Sequence, residues 1–172
     1  MTRDEFWQII ETTRLAAKND PEAQCKQIKA HLKKLTDDEL ISFHTHFDAL
    51  YASTYRMDLW GAAYIINGGC SDDCFDYFRA WLIGRGQAVY EAALANPDSL
   101  ADVAEEEDCE QEELLSLAIE VWLKRHNKDW DDLEKDNPFP ASPNSDPGPA
   151  EWEEDDEESL ARLYPRLYEK FW

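Results

Sequence analysis

The stretch YIINGGCSDDCFDYFRAWLIGRG, from Tyr64 to Gly86, decides how the chain folds. One apolar segment ends at Gly68 and Gly69, and another begins directly after Ser71. Paired glycines favour the end of a helix, and a serine followed by two aspartates favours the start of the next. The stretch therefore predicts a corner between two helices, and its cysteines and aspartates raise the question of whether the corner carries chemistry.

The helix predicted after this corner is apolar on more than one side. One stripe consists of Phe75, Phe78 and Leu82, and a second consists of Cys74, Tyr77 and Trp81. At about 100° per residue the two stripes leave only a narrow polar sector. We therefore expect this helix at the centre of the fold.

Helical periodicity and helix-start signals recur along the rest of the chain. Thr2 with Glu5 and Thr36 with Glu39 have the spacing of a capping box, and Pro21 suits a first helical turn. Alternating patterns typical of strands are absent from the sequence. The sequence predicts an all-α protein, a single compact helical domain of about six to eight helices.

The last quarter of the chain changes in composition. Residues 128–158 hold five of the eight prolines and end in a run of acids, which predicts an irregular, acidic connector. Apolar spacing returns at Leu160, Leu163 and Leu167, which predicts a C-terminal helix. We expect a helical domain over 1–127, the connector over 128–158 and a docking C-terminal helix over 159–172.

The charge of the chain is strongly negative and uneven. The formal net charge is −21, and residues 101–172 hold 23 acidic residues against 7 basic ones. The Lys and Arg clusters that bind nucleic acids or anionic membranes are missing, so we expect neither partner. The charge favours a basic protein as partner. Because no catalytic motif appears, we expect a non-enzymatic interaction or regulatory protein rather than a small enzyme.

The start of the chain bears on its compartment. The stretch MTRDEFWQII lacks the basic region and the long apolar run of a secretory signal, so we expect a cytoplasmic protein. In a reducing compartment the four cysteines are expected as thiols rather than disulfides. They are Cys25, Cys70, Cys74 and Cys109.

Motifs of the common enzyme classes are missing. The sequence has no Walker-type phosphate loop, no G-x-S-x-G, no H-E-x-x-H and no paired C-x-x-C. It predicts no cofactor and no metal site, and it leaves open whether the protein is an enzyme. His44 and His46 point in different directions on a helix, which predicts one half-buried and one solvated histidine.

Cys70 and Cys74 have two interpretations. Zinc would need two further ligands that the sequence does not identify. We expect both thiols to be small buried fillers, because free cysteine commonly packs as an apolar residue. The alternative is a thiol nucleophile at a helix N-terminus, for which Cys70 is the candidate.

The polar sector of the central helix contains Asp72, Asp76 and Arg79. A buried arginine needs an anionic partner, which Asp58 or Asp76 could supply. The sector is then either an ion pair that fixes helix packing or part of a small-molecule or cation site with aromatic walls, used for binding or acid–base chemistry. The candidate residues of such a site are Asp58, Trp60, Tyr64, Ser71, Asp72, Asp73, Asp76, Arg79 and Trp81.

Residues 1 to about 125 resemble a known bacterial family. The resemblance rests on EFWQIIE near the start and on the block from Asp58-Leu59-Trp60 through Gly68-Gly69-Cys70-Ser71-Asp72-Asp73 to Phe78-Arg79-Trp81-Leu82. These stretches are similar to domain of unknown function 4240. The resemblance implies a bacterial, cytoplasmic, helical protein whose family has no assigned reaction. It also implies that a site common to the family would involve Trp60, Ala63, Gly69, Ser71, Asp72, Asp73, Phe78, Arg79 and Trp81.

Overall fold

The computed structural model describes residues 1–105, 109–143, 145–154 and 156–172. Within these ranges the regular structure is helical and contains no strand, which confirms the all-α prediction. The α-helices are α1 (Arg3–Ala16), α2 (Pro21–Leu32), α3 (Asp37–Ser53), α4 (Met57–Ile66), α5 (Asp72–Gly84), α6 (Gln87–Ala95), α7 (Leu117–His126), α8 (Trp130–Leu133), α9 (Glu157–Leu163) and α10 (Pro165–Phe171). Two 3-10 helices, Pro97–Asp102 and Glu112–Leu115, lie between α6 and α7.

The helix starts follow the predicted local signals. Complete capping boxes join Thr2 to Glu5 and Thr36 to Glu39, and Pro21 is the first residue of α2. Each box satisfies backbone N–H groups that the first turn of a helix leaves without partners. These three predictions are therefore confirmed. None of the helices in the described ranges combines the length and the apolar character that crossing a membrane requires.

Helix α5 lies at the centre of the fold, as predicted. It contacts α1, α2, α3, α4, α6 and the second 3-10 helix. Its buried residues are Phe75, Phe78, Arg79, Ala80, Trp81, Leu82, Ile83 and Gly84. Because α5 is surrounded by helices, the position of every polar group that it buries constrains its neighbours.

The corner before α5 has the predicted form. Helix α4 ends at Ile66, and Gly68 and Gly69 follow with φ values of +64° and +123°. These conformations strain residues that carry a side chain, so the reversal depends on glycine. Ser71 then caps α5 by accepting a hydrogen bond from the backbone N–H of Cys74 at 3.3 Å.

The C-terminal segment packs against α4. The indole of Trp152 donates to the carbonyl oxygen of Met57 at 2.7 Å, and the hydroxyl of Tyr164 donates to the carbonyl oxygen of Asp58 at 2.8 Å. Gly61 lies beneath both rings, and a β-carbon there would lie 2.7 Å from the indole nitrogen of Trp152. The missing side chain at Gly61 therefore makes room for the segment.

A buried carboxylate attaches α10 to the domain. Asp98 is 5% exposed and accepts hydrogen bonds from the backbone N–H groups of Arg166 at 3.1 Å and Leu167 at 3.0 Å. These N–H groups belong to the first turn of α10, which has no side-chain cap of its own. Asp98, from the 3-10 helix Pro97–Asp102, thus accepts the hydrogen bonds that the first N–H groups of α10 would otherwise lack.

Over the described residues 128–143, 145–154 and 156 the chain is irregular apart from the short helix α8 and turns, and α9 begins at Glu157. The segment buries Phe139 and Trp152. Phe139 meets His44 of α3 and Trp122 of α7 edge to face, with ring centres 4.8 and 6.0 Å away. The division at 127 and 158 into domain, connector and docking helix stays a prediction.

Replacing Gly61 by alanine should release the C-terminal segment from α4. The new methyl group overlaps the rings of Trp152 and Tyr164, and overpacking of this kind costs about 1–3 kcal/mol. Urea unfolding and hydrogen exchange of residues 152–172 measure the loss of stability and of protection. The double variant G61A/Y164F removes one clashing atom, so its loss should be smaller than the sum of the two single losses. Strict additivity would show that the clash does not govern docking.

Candidate functional site

Arg79 is a buried cation that joins α5 to α3. Its side chain is 7% exposed, and its guanidinium donates to the backbone carbonyl of Tyr51 at 3.2 Å and to the Tyr51 hydroxyl at 2.8 Å. The same group forms an ion pair with Asp76, whereas Asp58 pairs with Arg56. The guanidinium carbon lies 3.7 Å from the centre of the Tyr51 ring, within the range of a cation–π contact. Arg79 therefore stabilises the last turn of α3.

A cleft of about 410 Å³ lies beside Arg79. Tyr51 and Tyr55 form aromatic walls, and Asp48 receives a hydrogen bond from the hydroxyl of Ser142 at 2.7 Å. Burial raises the pKa of Tyr51, so its phenol stays protonated. The Nε of Arg79 is buried and has no hydrogen-bond partner within the described ranges. The cleft thus combines aromatic walls with a few polar groups.

Ser71, Asp72 and Asp73 lie outside that cleft, on the exposed first turn of α5. The carboxylates of Asp72 and Asp73 are placed where the exposed N–H groups and the helix dipole favour negative charge. This is the capping arrangement that the sequence predicts.

The remaining candidate residues occupy two further places. Trp60 stacks on Phe75 at 4.6 Å and donates to the carbonyl of Cys70 at 3.0 Å, and Trp81 packs in the core. Tyr64 faces Trp152 at a ring distance of 5.5 Å. Asp58 is at the start of α4, close to the same segment. The nine residues do not share one pocket, and ligand binding at the Asp72–Arg79 surface stays a prediction.

The corner holds two thiols in contact. The sulfurs of Cys70 and Cys74 lie 2.6 Å apart, and both side chains are half-buried. Cys25 and Cys109 are buried, and burial raises the pKa of Cys25 to about 11. The sequence predicts Cys70 and Cys74 as small buried fillers, whereas the structure places both half-buried and in contact. The spacing C-x-x-x-C was the signal of this contact, but the loop geometry decides whether the sulfurs meet.

The described ranges contain no group of three or more His, Cys, Asp or Glu side chains that could hold a metal ion. His44 is buried on α3, with its Nε2 3.4 Å from a carboxylate oxygen of Asp48. His46 is half-buried and lies 3.1 Å from the carbonyl oxygen of Met1. The two imidazoles thus lie in different surroundings.

A second cleft, of about 420 Å³, lies where the C-terminal segment meets α4. Met57 and Asp58 line it from α4, and Glu151, Trp152 and Tyr164 line it from the segment. We call this surface the tail face. It also includes an aromatic cluster of Tyr64, Trp152, Tyr168 and Trp172.

The acidic run, residues 151–158 of the sequence, meets the tail face at Glu151 and Trp152. Its described carboxylates, all exposed, belong to Glu151, Glu153, Glu154, Asp156, Glu157 and Glu158. Among the residues that the structure describes, no ion pair includes any of them. Sequence reasoning found the acids but missed the aromatic surface beside them.

A family model described as Protein of unknown function (DUF4240) matches residues 1–124. The chain belongs to this family. No curated protein and no solved structure matches the chain. The matched range contains Arg79 and the thiol corner, whereas the acidic run and the aromatic side chains of α10 lie beyond it.

Replacing Arg79 by lysine should destabilise the fold by about 1–3 kcal/mol, because an ammonium cannot reproduce the two hydrogen bonds to Tyr51. Urea unfolding measures the loss. Replacing Asp72 or Asp73 by asparagine should change stability less, since both side chains are exposed on the first turn. An R79K protein as stable as the parent would contradict the assigned role of Arg79 in holding α3.

His44 should make stability depend on pH. Burial lowers its pKa below the ordinary value of 6.5, despite the nearby Asp48, so the folded protein holds the imidazole neutral. As the pH falls, the imidazole is protonated in the unfolded chain before it is protonated in the folded protein. The free energy of unfolding is therefore retained above pH 6.5 and decreases as the pH drops through the lowered pKa.

Urea unfolding between about pH 7 and pH 5 tests this dependence. The variant H44Q should lose less stability over this range than the parent. H31Q, which removes an exposed histidine, should follow the parent. Equal pH dependence of parent and H44Q would rule out His44 as the cause.

Proposed function

We propose that this protein binds a basic segment of a protein partner on its tail face and is not itself an enzyme. The observation that carries the proposal is the set of exposed carboxylates that the structure describes in the acidic run, which begins beside an aromatic cleft and has no ion-pair partner among the described side chains.

The acidic run is attached to the domain by a buried aromatic side chain. Seven of its eight residues are acidic, and such a sequence by itself repels and stays extended. The eighth, Trp152, is 8% exposed and donates to the carbonyl of Met57. Asp156 additionally caps α9 through the N–H of Ser159 at 3.1 Å. Because Trp152 and Asp156 attach this part of the chain to the domain before binding, ordering it costs less free energy when a partner binds.

The aromatic neighbours of the run suit basic side chains. Trp172 is 46% exposed, and its ring lies 5.7 Å from that of Tyr64 and 6.2 Å from that of Tyr168. Lysine and arginine pack their aliphatic stems on such rings and place their charges over the ring faces. Carboxylates at the rim then pair with the same cations. The combination favours basic side chains over apolar ones.

The charge of the whole chain acts in the same direction. A net charge of −21 attracts basic partners over distances of about the Debye length, roughly 10 Å at moderate salt, and raises their association rate. The same field repels nucleic acids and anionic membranes. Binding of this kind weakens as salt is added, which gives the proposal a direct test.

A fluorescent ten-residue lysine peptide should bind the protein at low salt and dissociate as salt is added. The variant E153Q/E154Q/E157Q should weaken binding about tenfold at low salt, because three exposed charge contacts are lost. W172A should weaken binding at every salt concentration, because the ring contact is not purely electrostatic.

The matched control removes three exposed carboxylates of other elements, in the variant D4N/D38N/E112Q. It has the same net charge as the tail-face variant and should bind the peptide nearly as well as the parent does. If both triple variants weaken binding equally, the peptide senses only net charge and the tail face is not the site. Binding that salt does not weaken would equally overturn the proposal.

A further inference from the structure

The corner between α4 and α5 presents a pair of thiols to solvent. Their sulfurs are 2.6 Å apart, and a disulfide bond measures about 2.05 Å, so only a small movement separates contact from bond. Both side chains are half-buried, so a small reagent reaches them. We infer that Cys70 and Cys74 form a redox site, a dithiol that small-molecule disulfides convert reversibly into an intramolecular disulfide.

The surrounding structure holds both cysteines in place. The indole of Trp60 donates to the carbonyl of Cys70, and the hydroxyl of Ser71 accepts from the N–H of Cys74. Gly69 donates its N–H to the carbonyl of Tyr64 at 2.8 Å and so fixes the turn before Cys70. These hydrogen bonds therefore hold the two thiols in contact at the corner.

The surroundings give the two thiols different roles. Cys74 lies in the first turn of α5, and the side-chain amide of Asn67 donates to its sulfur at 3.3 Å. Burial and the neighbouring sulfur raise the pKa of Cys70, so that thiol stays protonated while its sulfur lies in contact with that of Cys74. Cys74 is therefore the attacking thiol and Cys70 the resolving one, which reverses the sequence expectation for Cys70. Asn67 acts as a positioning residue.

The reaction with oxidised glutathione balances in two steps. The Cys74 thiolate attacks one sulfur of glutathione disulfide, a protein–glutathione disulfide forms, and one glutathione thiolate leaves. Cys70 then loses its proton and attacks the sulfur of Cys74, which expels the second glutathione. The protein loses two electrons and two protons, and one glutathione disulfide becomes two molecules of glutathione.

This site differs from a structural disulfide. The bond would close a loop across only Ser71, Asp72 and Asp73, and closing so short a loop restricts the unfolded chain little. Disulfides that contribute little to stability and are open to solvent are the reducible kind. The site does not require a partner at the tail face, so it can be tested independently of the proposed function.

The experiment is a redox titration of the whole chain in glutathione buffers, followed by acid quenching and alkylation of free thiols. Trypsin releases residues 57–79 as one peptide that contains Cys70 and Cys74 and neither of the other cysteines. As the buffer becomes oxidising, this peptide should no longer carry either alkyl label. Its mass should then be two hydrogens below that of the unlabelled reduced peptide. Reduction should restore both labels.

Variants assign the roles. C70S should accumulate one glutathione on Cys74, and C74S should react slowly and form no internal disulfide. N67A should react more slowly than the parent and still reach the disulfide. The matched control C25S, which removes a buried thiol, should titrate as the parent does.

Three results would overturn the inference. They are a peptide 57–79 that keeps both labels in glutathione disulfide alone, an adduct on Cys70 in preference to Cys74, and a disulfide that joins either residue to Cys109. Cys109 is the natural competitor, because its N–H donates to Asn67 at 3.2 Å. The first and third results need only the parent protein, so the test stands even if a variant fails to fold.

Discussion

Burying the cation of Arg79 in the central helix constrains the packing of its neighbours. A guanidinium removed from water without acceptors costs several kcal/mol, so the helices around α5 must supply them. The last turn of α3 does so with the carbonyl and hydroxyl of Tyr51, and Asp76 supplies the countercharge. The hydroxyl of Thr54 donates to the same carbonyl at 2.7 Å. The end of α3 is thereby fixed against α5, and the chain enters α4 from that fixed point.

The sequence predicted the structural features that depend on residues close together in the chain. It missed the features that depend on residues far apart in the chain. The capping boxes at Thr2 and Thr36 and the reversal at Gly68 were predictable, because their hydrogen bonds or dihedral angles involve residues only a few positions apart. The tail face was not predictable, since it joins Met57 to Trp152 and Asp58 to Tyr164 across about a hundred residues. The pairing of Arg79 with Asp76 follows from helical spacing, whereas its bonds to Tyr51 do not. The thiol contact depends on the turn geometry at Gly69, which spacing alone leaves open.

Helix α4 connects the two proposed sites. The C-terminal segment packs against the start of α4 at Met57 and against its side at Gly61. The other end of α4 leads into the thiol corner. Trp60, which precedes Gly61 in the chain, contacts the corner by donating to the carbonyl of Cys70. The family match covers the corner and α4 but ends before the segment that builds the acidic face. The helix is thus a shared scaffold that carries one site of the matched domain and one surface contributed from outside it.

Gly61 links α4 to the C-terminal segment in a way that can be recognised in other chains. A β-carbon at this position overlaps the rings of Trp152 and Tyr164, so a relative with alanine or a larger residue here cannot seat this segment in the same place. The two aromatic side chains can occupy this position only because residue 61 has no side chain. Across evolution the glycine and the two aromatic residues should be gained and lost together, and a single glycine within the common domain marks which relatives carry an aromatic, acidic extension of this kind.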